Sequence, residues 1–245
     1  MANRENRNHG NSQIDYGNSV LYGMCEGDNI WHVNPDTVAG KMWLIGRSYA
    51  ASPERQQGKV LNNLDEGSMK KPKINTDTDF FRKVAQIIVR NQESERLDGV
   101  IRQMRNVEYT YDFTKDADVL KGSIELVKLL NEMIMMASNQ YNKENYVERL
   151  AKNNVSFASK YLHIHLPNVI YIMDTYSLIN GKNKHKEMCL YDKDYAKLFK
   201  TYKDIIPCGY AEHTLRCYFI AQKLDRDGED CYPRAVDDIL MLRGE

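Results

Sequence analysis

KDADVLKGSIELVKLLNEMIMMASNQY (115–141) is the most strongly apolar stretch of the chain, and its periodicity decides the fold class. Leu120, Val127, Leu130 and Ile134 recur at helical spacing, and apolar residues cover most of the circumference, as in a helix buried nearly all round. It is expected to be the central core helix. Upstream, VAGKMWLIGRSYAA (38–51) lines Val38, Met42, Ile45 and Tyr49 along one face, with Pro53 just beyond. NTDTDFFRKVAQIIVR (75–90) offers Asn75 or Thr76 as a cap and Asp77 and Asp79 at the positive helix start. Phe80, Phe81, Val84 and Ile88 form its buried stripe. Downstream, shorter helices are expected at 143–152, 156–166, 174–180, 192–205 and 211–224. A last one starts at Pro233 or Arg234 and carries Val236, Ile239 and Leu240. Only VEYTYDF (107–113) and VIYIMD (169–174) alternate as strands would, and the polar stretch 58–77 reads as a long loop. The expected class is all-α.

Composition narrows the function classes. The 245 residues hold 34 Lys+Arg against 34 Asp+Glu and are 42% hydrophobic, enough for a real core. A mean hydropathy of −0.62, with no apolar run of about 20 residues, argues against a membrane span. Plentiful aromatics and nil net charge argue against disorder. The stretch MANRENRNHGNSQIDYGNS is polar and shows no apolar core of a secretory signal, and residues 1–25 are expected to form a flexible N-terminal lead-in. A single helical domain of two lobes, about 26–140 and 141–245, should follow. Cys25, Cys189, Cys208, Cys217 and Cys231 are odd in number, widely spaced and lack a CxxC pair. They read as reduced thiols of a cytoplasmic protein. His185 and Cys189 would share a helix face, but nothing fixes a third ligand, and no metal or cofactor is expected. Trp31 and Trp43 are expected in the core.

Zero net charge conceals an asymmetry. Residues 182–203 carry seven lysines against three acids, a net of +4, and residues 225–245 carry seven acids against three arginines, a net of −4. Lys182 and Lys184 open the basic segment, where interleaved Tyr191, Tyr195 and Tyr202 could help track phosphates. A basic stripe including part of 182–203 should face a polyanion, with 225–245 turned away.

The chemistry concentrates in NNVSFASKYLHIHLPNVIYIMDTYS (153–177). A helix bears Lys160, the chain turns at Pro167, runs apolar, and reaches Asp174 at the opening of a new helix. That return would bring lysine and aspartate together. A lysine whose burial favours the neutral amine can attack a sugar C1′. An aspartate at a helix N-terminus can stay ionised, stabilise an oxocarbenium-like centre and orient water.

SFASKYLHIH (156–165) and YIMDTYS (171–177), with KMWLIGRSYAASPER (41–55) and CYPRAVDDILM (231–241), resemble bacterial 8-oxoguanine DNA glycosylase-like proteins of the helix-hairpin-helix glycosylase superfamily. The likeness covers most of residues 30–242. It implies a two-lobed helical enzyme with a central DNA-binding cleft, with Lys160 at the place of the lyase-type nucleophile and Asp174 at that of the near-invariant aspartate. The sequence departs from the family in two respects. The hairpin glycines are replaced by Asn153, Asn154, Ser156 and Ser159, and the lysine–aspartate interval is about a turn shorter. Two mechanisms follow: attack by Lys160, or a monofunctional reaction in which Asp174 assists departure of the base and water attacks.

A glycosylase flips its nucleotide out of the stack and holds the base between aromatic or apolar walls. Tyr49 could stack, Arg47 and Ser52 could hydrogen-bond, and Ser156, Phe157 and His163 would complete the base pocket. Arg55, Asn154, Ser159, Lys182, Lys184 and Arg216 are the expected DNA contacts, with His213 a further phosphate candidate. The expected partner is double-stranded DNA carrying a modified base, met by a monomer. Some similar proteins are antiphage glycosylases that remove bulky modified cytosines such as glucosylated hydroxymethylcytosine, and this is the favoured substrate. The alternatives are repair of oxidised purine (8-oxoguanine) and a non-catalytic helical DNA-binding or adaptor protein.

Overall fold

The computed structural model describes residues 19–48, 77–144, 153–189 and 209–241, and every regular element among them is helical. After a helical turn at 19–23 and a 3-10 turn at Gly27–Ile30 come α1 (Pro35–Ser48), α2 (Asp77–Arg90), α3 (Glu93–Met104) and the long α4 (Phe113–Glu144). Then follow α5 (Val155–His165), α6 (Thr175–Cys189), α7 (Tyr210–Asp227) and α8 (Pro233–Met241). The expected helix 192–205 and loop 58–77 fall outside the described residues, apart from Asp77, which starts α2.

Helix α4 organises the molecule as its periodicity predicts. Leu120, Ile124, Val127, Leu130, Ile134, Ala137 and Tyr141 are all buried along it. Asp112 caps its start, accepting from the Thr114 amide at 3.1 Å, and Tyr111 enters the turn before it in the left-handed region, φ 57°. Helices α1 and α2 pack on each other, and α2 and α3 lie on α4. Helices α6, α7 and α8 pack on one another, with α7 reaching α4. Helix α5 lies on both α4 and α1.

Four expectations need correction. Helix α3 was not foreseen: its buried residues Ser94, Leu97, Ile101 and Met104 form a narrow stripe among charges. Residues 19–25 are no loose lead-in, since Leu21 and Cys25 are buried in the core. Trp43 is exposed on α1, whereas Trp31 is partly buried under the Arg102 guanidinium, 4.8 Å from its ring centre. The two strand candidates do not pair as a sheet.

Those candidates instead form extended segments tied down by side chains. Tyr109 donates to the Val169 carbonyl at 2.8 Å and stacks on Tyr171 with ring centres 5.8 Å apart. His163 Nδ1 donates to the Ile170 carbonyl at 2.7 Å, Tyr210 to that of Tyr171 at 3.0 Å, and His213 Nε2 to that of Ile172 at 2.7 Å. The Ser159 hydroxyl accepts the Met173 amide at 3.1 Å. Helices α5 and α7 and the segment before α4 thus satisfy a buried, non-helical backbone that no ladder serves. Each such group left unpaired would cost about 1–3 kcal/mol.

Candidate active site

This side-chain-braced return brings Lys160 and Asp174 together. Lys160 stands mid-way along α5, where Ala158, Ser159, Tyr161 and Leu162 are buried on every side of it. The lysine is buried as well: its side chain is 7% exposed, and Nζ lies 3.5 Å from Asp174 Oδ2. Lys160 is therefore not a solvent-facing helix residue.

Asp174 has a second task. Its Oδ1 accepts the Ser177 amide at 2.8 Å, while its own amide donates to Ser177 Oγ at 2.8 Å, a reciprocal cap at the start of α6. The Leu178 amide donates to the Asp174 carbonyl at 2.9 Å. One carboxylate oxygen is held by helix α6 and the other faces the lysine.

The C-terminal helix contributes two groups that motif spacing had not singled out. Arg234 bridges Asp237 and Asp238 of α8, with both contacts at 3.1 Å. Asp237 is buried, and burial pushes its carboxyl up to about 7 against the opposing pull of Arg234. The charges of Asp174 and Lys160 are close enough to act on it, the first raising and the second lowering it. This corrects the expectation that all of 225–245 turns away: α8 packs on α6, and Asp237 is buried within electrostatic reach of Asp174 and Lys160.

The remaining candidates occupy varied places. Ser159 is wholly buried and donates to the Ser156 carbonyl at 3.0 Å while bracing Met173; Ser156 itself is half-buried. Phe157 lies in the core among Val38, Met42, Ile88, Leu130 and Ile134. His163 is enclosed, donating to Ile170 and accepting from the Tyr22 hydroxyl at 3.0 Å, and burial pulls it down to about 4. His213, expected to meet phosphate, is enclosed in the same way and also lowered by burial to about 4. Asn154 is buried at the start of α5, where its amide donates to Asn131 Oδ1 at 2.8 Å. Arg216 is mostly buried and paired with Glu212 on α7. Arg47 is exposed in the last turn of α1, Lys182 is exposed on α6, and Lys184 is half-buried there. Tyr49, Ser52 and Arg55 lie outside the described residues, as does most of the basic stretch beyond Cys189.

No protein-family model, curated protein or solved structure matches the chain.

A second polar cluster is entirely internal. Lys41 of α1 donates to the Asn29 carbonyl at 2.8 Å and to His165 Nε2 at 3.1 Å. His165 Nδ1 in turn donates to the Tyr161 carbonyl at 2.8 Å. His32 donates through Nδ1 to Asp98 at 2.6 Å and accepts from the Tyr161 hydroxyl at 3.0 Å. Burial lowers His32, Lys41 and His165, so the cluster joins α1, α3 and α5 with reduced charge. It is a structural tie with no opening to substrate: Lys41 is 1% exposed. Among the described residues no group of three His, Cys, Asp or Glu side chains could hold a metal ion, and no helix is long and apolar enough to cross a membrane.

Proposed function

We propose that this chain is a cytoplasmic DNA glycosylase that flips a modified base from duplex DNA and cleaves its N-glycosidic bond, leaving an abasic site. The observation that carries the reading is the buried Lys160–Asp174 pair at 3.5 Å, with the aspartate fixed at a helix N-terminus. The helix-hairpin-helix resemblance supports it independently, because the two residues quoted there by sequence are the two that meet in space. In this reading the two lobes are about 26–140 and 141–245, and DNA crosses the cleft between them with α5 and the return at its floor. The protein acts as a monomer.

The Asp174 carboxylate lies opposite the deoxyribose and stabilises positive charge developing at C1′ as the base departs with the bonding electron pair. In the lyase route, Lys160 gives its ammonium proton to solvent and its amine nitrogen bonds C1′ as the C1′–base bond breaks. In the monofunctional route, water supplies that bond and Asp174 orients it. The favoured substrate is a bulky modified cytosine such as glucosylated hydroxymethylcytosine of phage DNA. Its removal would serve antiviral defence, since abasic sites block replication.

The test is incubation with DNA bearing candidate bases, followed by alkali. Strand cleavage that disappears in Asp174→Asn supports a glycosylase, and cleavage of no modified DNA refutes it. Borohydride should trap a covalent DNA adduct that Lys160→Ala cannot form. Normal base release without trapping would assign the reaction to Asp174 and water.

A further inference from the structure

The peptide unit between Ile172 and Met173, just ahead of Asp174, is held at both ends. His213 Nε2, from α7, donates to its carbonyl at 2.7 Å, and Ser159 Oγ, from α5, accepts its amide at 3.1 Å. A trans peptide points its C=O and N–H to opposite sides, so the two contacts grip one rigid plane from two helices. The Asp174 amide that follows donates to Ser177 Oγ at 2.8 Å. The backbone thus arrives at Asp174 with both preceding peptides tied.

Ser159 differs from His213 in its place beside Lys160. Two neighbouring residues of α5 reach two neighbouring residues of the return: Ser159 Oγ meets the Met173 amide at 3.1 Å, and Lys160 Nζ lies 3.5 Å from Asp174 Oδ2. A serine inside a helix ordinarily uses its hydroxyl locally, and the Ser159 proton is so used, on the Ser156 carbonyl at 3.0 Å. With that proton committed, the oxygen serves as an acceptor, and it takes a backbone donor 14 residues further along the chain. Both Ser159 and Met173 are buried, so the contact is shielded from competing solvent.

We propose that Ser159 is a positioning residue of the Lys160–Asp174 site: its hydroxyl fixes the Met173 amide and thereby the approach of the aspartate to the lysine. This role replaces the DNA contact expected of Ser159. Without the hydroxyl, the Ile172–Met173 peptide keeps its grip at the carbonyl alone and can pivot about the His213 contact. Asp174 then swings with it, away from Lys160 and from the Ser177 amide that its Oδ1 holds at 2.8 Å. A displacement of about 1 Å at a reacting group can cost about 100-fold in rate. The catalytic consequence rests on the glycosylase reading, but the positioning of Asp174 does not.

The experiment uses the full chain and compares Ser159→Ala with Ser94→Ala, which removes a buried hydroxyl from α3 that donates to the Ile88 carbonyl. The first arm follows amide hydrogen exchange by NMR. In the wild type, the Met173 amide should be as protected as the core amides of α4, although no helix serves it; an unprotected Met173 overturns the proposal. In Ser159→Ala, Met173 and Ser177 should each lose about ten-fold or more in protection relative to α4, although Ser159 does not touch Ser177. Both should hold in Ser94→Ala. Retained protection at Ser177 in Ser159→Ala, or equal losses in Ser94→Ala, overturns the proposal. Ser159→Cys, close in volume but a weaker acceptor, answers the same question if Ser159→Ala does not fold. The second arm measures base release from glucosylated DNA. Ser159→Ala should lower kcat by about 10- to 100-fold and leave KM within about two-fold, while Ser94→Ala keeps both. An unchanged kcat, or a loss confined to KM, overturns the catalytic consequence. Lost protection at Ser177 with no abasic sites in any DNA supports the positioning of Asp174 and removes the glycosylase reading instead.

Discussion

Replacing Asp174 separates its two tasks, because each uses a different oxygen. Asp174→Asn keeps an acceptor for the Ser177 amide but removes the charge that faces Lys160. An ammonium only 7% exposed then loses its carboxylate. Losing a partner costs about 3–5 kcal/mol for a fully buried pair and about 0–1 kcal/mol for a surface pair. With the Asp174 side chain at 18% exposure, the expected loss is about 2 kcal/mol. Asp174→Ala also removes the cap, adding about 1 kcal/mol, for a total of about 3 kcal/mol. Lys160→Met removes the ammonium that needs compensation, so Lys160→Met/Asp174→Asn should lose less than the sum of its single variants by about 1–2 kcal/mol. Urea unfolding at pH 7, fitted with a common m-value, measures all four. Additive single variants, or equal stability of Asp174→Asn and Asp174→Ala, would refute the division of labour.

Further outcomes follow from the same structure. Asp116 accepts from the Thr110 amide at 3.1 Å, the Thr110 hydroxyl at 3.0 Å and Tyr218 at 2.8 Å, tying α4 to α7. Asp116→Ala strands these donors and should cost about 3 kcal/mol, or a fall in Tm of roughly 6–12 °C by calorimetry. His163 and His213, held near 4 against an ordinary value of 6.5, are neutral when folded and protonated when unfolded between those limits. Their stabilising contribution is complete above pH 6.5 and lost as pH falls toward 4, at about 1.4 kcal/mol per pH unit for each histidine. Asp237, raised from 3.8 to about 7, acts in the opposite direction over its own range, so Asp237→Asn should steepen the fall in urea midpoint from pH 7 to pH 5. On DNA, Lys182→Glu/Lys184→Glu should weaken binding across sequences and reduce the salt slope by about 2; an unchanged slope in filter binding would remove both lysines from the interface.

The core helix and the approach of Lys160 to Asp174 were legible because both depend on local pattern. An apolar circumference identifies α4, and a helix, proline turn and return confine two residues close in sequence to one region. Helix α3 escaped because it presents only a narrow apolar stripe among charges. The strand-like alternation at 107–113 and 169–174 correctly marks extended, half-buried backbone. Alternation cannot tell a ladder from carbonyls served by Tyr109, His163, Tyr210 and His213, because those donors come from distant parts of the chain. The same holds for Asp237 and Arg234. On an amphipathic C-terminal helix they look like ordinary surface charges, and only the packing of α8 on α6 and α7 buries Asp237. The histidines at 163 and 213 were assigned to substrate and phosphate on chemistry alone, whereas their ring nitrogens serve the buried return.

The most direct test is to incubate wild type and Asp174→Asn with unmodified, hydroxymethylated and glucosylated phage genomes and to count abasic sites. Abasic sites in glucosylated DNA with the wild type, and their loss with Asp174→Asn, are the predicted result. None in any genome, or equal numbers with the variant, would contradict the assignment of the Lys160–Asp174 pair as a glycosylase centre.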